Sequence, residues 1–233
     1  MHKQKLNLKS ASRKPITDSI AAVLFATAMF FFILSFSISL PIYCRGFYFA
    51  HIEPLNLAEY SGYSVGEIKD AYNEVLDYLT LPNREFGCGV MPFSKDGEAH
   101  FADCRELFNI NLTALITSSG CLVVLSVLKK CKKVKDFYIG CFLAYTYSGV
   151  AAILVPLAVG ILASLDFEKA FTIFHHIFFP GKSNWYFDGD VDPIINVLPE
   201  RFFMNCAILI GSAIVLLSVI FIVVGIVKRK RKN

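Results

Sequence analysis

Charged residues desert the chain in four places. No Asp, Glu, Lys or Arg falls between Asp18 and Arg45, Glu106 and Lys129, Asp136 and Asp166, or Arg201 and Lys228. Each gap is filled with Leu, Ile, Val, Phe and Ala. Crossing the hydrocarbon core takes about 20 apolar residues in a helix. The pattern therefore predicts transmembrane helices over about 18–41, 108–128, 137–164 and 203–227. A transmembrane β-barrel would show short alternating segments instead. The expected fold is an all-α polytopic membrane protein, a single integral membrane domain over 1–233. Its four helices carry an extracellular cap formed by two outer loops, about 42–107 and 165–202.

The loops have patterns of their own. Residues 42–62 are aromatic-rich with Pro54 and read as irregular or short extended structure. Ser64 followed by Glu67 is a capping-box pair. It opens a helix over about 65–80 whose Val65, Ile68, Tyr72, Val75, Leu76 and Leu79 share one face. Pro82, Gly87, Gly89, Pro92 and Gly97 make 81–97 a loop. A helix then starts at Glu98 and runs into the second span. In the second loop, Pro180 and Gly181 break the chain after FHHIFF, and Pro193 and Pro199 punctuate the approach to the fourth span.

Charge sets the orientation. Lys3, Lys5, Lys9, Arg13 and Lys14 precede the first span, Lys129, Lys130, Lys132, Lys133 and Lys135 join the second to the third, and Lys228, Arg229, Lys230, Arg231 and Lys232 close the chain. These are 15 of the 23 basic residues, with only Asp18 and Asp136 beside them, a net of +13. The other side carries 8 basic and 17 acidic residues, a net of −9. The positive-inside rule puts both termini in the cytoplasm and the cap outside. The basic runs read as topology signals and not as nucleic-acid contacts. Composition agrees: 55% hydrophobic, 18% charged, mean hydropathy +0.53, against a usual charged share of about 25%. This excludes an ordinary cytosolic enzyme and a disordered chain. The first span is too long for a cleaved signal peptide and lacks an A-x-A-like site. Tyr43 before Cys44 is too large for a lipidation site.

Seven cysteines build no framework. Cys121, Cys141 and Cys206 fall in spans and act as small hydrophobes, and Cys131 faces the cytoplasm. Of the three outside, Cys88–Cys104 is the expected pair. Histidine is the side chain best suited to moving protons near neutral pH. His2 is cytoplasmic. His51 lies in the first outer loop, and His100, His175 and His176 lie near span ends on the outer side. On a helix, Asp103 shares a face with His100 and is placed to orient its imidazole. Arg105 points elsewhere, toward head groups or an acidic residue. Asp190 or Asp192 with the histidines lacks zinc-ligand spacing. G-x-S-x-G, H-E-x-x-H, a P-loop and a dinucleotide fingerprint are missing from the sequence. The residues alone leave a lipid enzyme and a binding protein both open.

Three motifs narrow this. HFADCRELF (100–108), FHHIFF (174–179) with NWYFDGDVDPIINVLPERFF (184–203), and YNEVLDYL (72–79) resemble motifs of the bacterial lipoprotein intramolecular transacylases, the Lit family. The resemblance covers nearly the whole chain, and its second motif is the most specific. Ala71, Gly189 and Cys104 depart from the family pattern, and no histidine is lost. The resemblance implies an acyltransferase of diacylglyceryl lipoproteins in the bacterial cell membrane. It moves the sn-2 acyl chain to the α-amino group of the N-terminal cysteine, giving the lyso form, with no cofactor and no metal. The implied catalytic pair is His100 as base and His175 as acid, an order open to reversal, with His176 as fallback for His175. Asp103, Arg105 and Asp192 are the supporting residues, and Trp185, Tyr186, Phe178, Phe179 and Phe187 wall the pocket. Two other classes compete. A claudin-type adhesion or scaffold protein would carry tryptophan and paired cysteines in the first outer loop, whereas Trp185 is in the second. A metal-dependent membrane hydrolase would be sensitive to chelators.

Overall fold

The computed structural model describes residues 16–140 and 142–231. His2, Lys3, Lys5, Lys9, Arg13, Lys14, Cys141 and Lys232 lie outside the described residues. The chain runs α1 (Ile16–Tyr43), α2 (Arg45–Phe49), α3 (Leu57–Ser61), α4 (Val65–Thr80), α5 (Lys95–Lys130), β1 (Tyr138–Ile139), β2 (Phe142–Leu143), α6 (Ala144–Leu165), α7 (Phe167–Phe178), α8 (Ile194–Val197) and α9 (Glu200–Lys230). Helices α1, α5, α6 and α9 are long and apolar enough to cross a membrane. Pairs α6 with α9 and α1 with α5 pack most closely, and α1 also touches α6 and α9.

The bundle buries Ala21, Ala22, Phe25, Met29, Ile33, Leu125, Phe137, Ala144, Ala152 and Ile214. Its outer surface stays apolar: Leu154, Leu157, Ile208, Leu216 and Val219 are exposed. Such a surface suits lipid, so helices must associate through close packing and polar contacts. Gly149 supplies the first. A Cβ there would meet the Ser218 carbonyl and Ile222 at 2.8 Å, so only glycine lets α6 and α9 approach this closely. Asn111 supplies the second, donating from α5 to Ser39 Oγ on α1 at 3.0 Å.

The α1–α5 and α6–α9 connections pack together into one head. Its core holds Tyr48, Ile52, Leu57, Ile68, Tyr72, Leu76, Cys88, Phe101, Ile194, Val197 and Phe202. Tyr48 stacks on Tyr72 at 3.8 Å and donates to the Val197 carbonyl at 2.7 Å, joining the two connections. Arg45, just past α1, donates to Asn73 at 2.7 Å and pairs with Asp77, fixing α4 over the end of the span. Arg105 forms no ion pair among the described residues. It donates to the Leu81 carbonyl at 3.0 Å and covers the Tyr78 ring at 4.8 Å, tying α5 to the end of α4.

Helix α4 runs over Val65–Thr80 with a complete capping box. Elsewhere the elements differ from expectation. Residues 42–62 hold two short helices, α2 and α3, because Tyr48 is buried in the head with Phe47 and Phe49 packed beside it and the backbone closes local bonds such as Ala50 N–H to the Gly46 carbonyl at 3.0 Å. The third span begins at Ala144 and not at 137. Phe137 is 1% exposed and stacks on Phe25 of α1 at 4.3 Å. Gly140, at φ +57°, turns the chain into the β1–β2 hairpin before the helix starts. Helix α5 begins at Lys95, three residues before the expected start, under the Ser94 cap. Cys88 and Cys104 are both free, because Cys88 is buried in the head core while Cys104 turns to His100.

The capping box can be weighed directly. Ser64 Oγ accepts the Glu67 N–H at 3.3 Å, and the Glu67 carboxylate takes the Ser64 N–H at 2.8 Å. Ser64→Ala is expected to cost about 1 kcal/mol, read as a lower Tm of the detergent-solubilised protein.

Candidate active site

The first turns of α5 carry Lys95, Asp96, Glu98, Asp103, Arg105 and Glu106. This stretch therefore belongs to the head, and the apolar crossing starts at Leu107. His100 lies on the head portion and is 7% exposed. The other histidine helix is α7, which is strongly two-sided. His175 points inward at 6% exposure, while Phe174, Ile177 and Phe178 are exposed at 46%, 66% and 48%. His176 is also exposed.

The fold brings His100 and His175 together, with ring centroids 5.9 Å apart. Phe179 and Phe187 stand edge-on to His100 at 5.0 and 5.4 Å. Trp185 stacks on His175 at 4.6 Å, and Phe171 lies 4.3 Å from it on the preceding turn. Trp185, Phe179 and Phe187 thus enclose the pair. The other two expected wall residues do not. Tyr186 is 68% exposed and stacks on the far side of Trp185, and Phe178 turns away onto Phe174. His176 stands edge-on to Trp185 at 5.6 Å.

The two imidazoles are held differently. His175 Nδ1 lies 2.7 Å from the Phe171 carbonyl. A carbonyl only accepts, so Nδ1 carries the proton, and Nε2 of the neutral ring keeps a free lone pair. His100 Nε2 is 3.4 Å from Cys104 Sγ, and its buried Nδ1 has no partner among the described residues. Burial pushes the His100 pKa down to about 4, helped by nearby His175 and opposed by Asp103. Burial also lowers that of His175, against the Phe171 carbonyl bond that favours its charged form. Both shifts favour the neutral imidazole.

The supporting residues act through other groups. Asp103 does not orient His100. Its carboxylate takes Lys182 Nζ at 2.5 Å and Asn184 Nδ2 at 3.2 Å, because the second connection reaches it first. Burial pushes its carboxyl up, but these two bonds outweigh burial and hold it below the usual range. Asp192, 5% exposed, accepts from Ser94 N–H at 2.7 Å and Ser94 Oγ–H at 2.8 Å. Ser94 Oγ in turn accepts the Gly97 N–H at 2.9 Å. A carboxylate here meets the positive end of α5. Sequence reasoning missed Ser94, Lys182 and Asn184 as partners. The one signal for Asn184 is a polar side chain set directly before the aromatic WYF run.

Two outcomes follow. A Cβ at Gly97 would meet Asp192 Oδ1 at 2.5 Å, so Gly97→Ala displaces that carboxylate. The expected cost is about 2 kcal/mol, read by thermal unfolding. The second concerns pH. The His100 pKa falls from 6.5 unfolded to about 4 folded, so the unfolded chain binds more protons between those values. Its contribution to stability is complete above about pH 6.5 and is lost as pH falls toward 4, up to about 3 kcal/mol. Wild type minus His100→Gln melting, scanned from pH 7 to 4, should isolate that slope.

The family model described as lipoprotein intramolecular transacylase Lit matches residues 23–203. No curated protein sequence matches the chain. Among solved structures, the membrane-integral lipoprotein intramolecular transacylase Lit of Bacillus cereus superposes with a TM-score of 0.83 at 24% identity, covering 94% of this chain and 100% of that one. A histidine-to-alanine variant of that protein gives a TM-score of 0.76 at 23% identity, covering 94% and 97%. A histidine-to-arginine variant gives 0.75 at 24% identity, covering 93% and 95%. These likenesses carry the membrane-integral fold, and the family match spans most of the sequence: the chain belongs to the lipoprotein intramolecular transacylase Lit family.

Proposed function

We propose that this transacylase moves the sn-2 acyl chain of a diacylglyceryl lipoprotein onto the α-amino group of the same molecule's N-terminal cysteine. The product is a lyso-form lipoprotein. One observation carries the reading: two imidazoles, 5.9 Å apart, buried among aromatic rings at the end of the head nearest the spans. The charge asymmetry of the loops supports cytoplasmic termini and a site on the extracellular face. The exposed apolar side of α7 suits the lipid interface beside it.

In the proposed reaction the amine nitrogen attacks the ester carbonyl, the N–C bond forms and the C–O bond breaks. One proton passes from nitrogen to the departing glyceryl oxygen. An α-amino group has a pKa of about 7.7–8.0 and is mostly protonated at neutral pH. A base that removes its proton is worth about 10²–10⁴-fold. The hydrogen bonds favour His175 for this task, reversing the order expected from the motifs. Its Nδ1 proton is committed to the Phe171 carbonyl, so Nε2 is ready to accept.

His100 serves the oxygen side. Burial pushes the Cys104 thiol up to about 12, with Asp103 adding to it. The thiol thus stays protonated and donates to Nε2, which leaves the imidazole proton on Nδ1. That N–H hydrogen-bonds the ester oxygen, and the departing glyceryl oxygen takes the proton that His175 accepted from nitrogen. A protonated Cys104 is a poor nucleophile, which supports direct transfer without an acyl-enzyme. Donor and acceptor share one molecule, so positioning supplies much of the rate. Trp185, Phe179 and Phe187 exclude water from the folded substrate, and Asp103, Arg105 and Asp192 position the elements that carry the histidines.

The test is expression in a bacterium that makes only diacylglyceryl lipoproteins, followed by tandem mass spectrometry of one N-terminal lipopeptide. Wild type is expected to place an acyl chain on nitrogen at unchanged total mass. His100→Ala and His175→Ala should lower this at least about 100-fold, while His176→Ala stays near wild type. Unmodified nitrogen with well-expressed wild type would sink the reading. An acyl adduct on Cys104 would overturn direct transfer.

A further inference from the structure

Asn184 is used by none of the steps above, yet its amide is firmly oriented. An ionised carboxylate only accepts, so the bond to Asp103 requires Asn184 to present its NH2 group there. Lys182 locks Asp103 from the other side. The Asn184 Oδ1 must then point away from Asp103. It is buried and has no partner among the described residues. Asp103 lies one helical turn from His100, whose Nδ1 is likewise buried and unpaired. Two buried polar atoms, one acceptor and one donor, are thus without a partner among the described residues, and both belong to residues that flank Asp103. Buried polar atoms are rarely left unpaired without a ligand or ordered water to meet them.

We propose that Asn184 Oδ1 receives an N–H of the substrate's terminal amino group and turns the nitrogen lone pair toward the ester. The inference rests on the transacylase reading above. The chemistry of the pair suits an amine that must lose its charge. A bare carboxylate would hold the amine as ammonium, which cannot attack. Here the Asp103 charge is matched by Lys182, and the atom offered to the amine is a neutral amide oxygen. It directs the nitrogen without favouring its protonated form.

The experiment is a binding cycle on the full-length protein in nanodiscs. Two non-reactive lipopeptides carry an ether in place of the sn-2 ester. One has a free α-amine and the other has hydrogen in its place. Wild type is expected to prefer the amine ligand roughly fivefold to tenfold, the worth of one net hydrogen bond. Asn184→Leu should lose that preference while binding the desamino ligand as wild type does. Asn184→Asp should keep the preference and shift the pH optimum of transfer on the ester substrate upward, because a second carboxylate stabilises ammonium. Equal loss for both ligands in Asn184→Leu, or an undiminished preference, would overturn the assignment. Each preference is a ratio within one protein sample, so partial misfolding does not mimic the result. A wild type that forms no N-acyl product would sink the transacylase reading separately, whereas a failed cycle with product still formed would sink only the role of Asn184.

Discussion

The Asp192 carboxylate holds this active site together. It comes from the second connection and fastens the N–H and hydroxyl of Ser94, the residue that caps α5. His100 belongs to that helix and His175 to α7. They meet only if the two connections are joined at this point. The bond is strong for a simple reason: a buried carboxylate needs donors, and a helix start has unpaired N–H groups and a positive dipole end to offer. Gly97 leaves the room, since any side chain there would fill the space the carboxylate occupies.

Burial among Phe179, Phe187 and Trp185 does two things at once. It lowers the pKa of both imidazoles toward the neutral form, and it lines the space around them with aromatic rings. The cost is that neither ring can ionise cheaply, and that polar atoms are left without partners. Among the described residues, His100 Nδ1 and Asn184 Oδ1 are such atoms. Asp103 shows the balance from the other side. Set beside a histidine with no other cation near, it would hold the imidazole charged. Bound to Lys182 and Asn184, it restrains that effect.

Much of the fold was legible because its signals are local or set by the bilayer. Charge-free runs mark the spans, since ions are excluded from hydrocarbon. The Ser64 and Glu67 pair marks the start of α4, since capping is decided within one turn. The misread stretches depended on distant partners. Phe137 looks like part of a span until Phe25 draws it down and Gly140 turns the chain. Residues 42–62 look irregular until the head buries Tyr48 against Tyr72. Cys104 was paired with Cys88 on the basis of compartment alone, and its direction on α5 sends it to His100 instead.

The site divides in the same way. The motifs singled out residues that the fold gathers in one place: two histidines near the ends of spans, an aspartate one turn from one of them, and an aromatic run before the last helix. What each one touches was not readable. Asp103 seemed matched to His100 by helical spacing, but Lys182 and Asn184 arrive from the other connection and take its oxygens. Arg105 gives no sign in the sequence that it braces the end of α4. Composition and periodicity report how a residue relates to its own helix and to the membrane. Competition among side chains for one carboxylate or one carbonyl is resolved only when distant segments are packed together, and that competition decides which hydrogen bonds each candidate catalytic group makes.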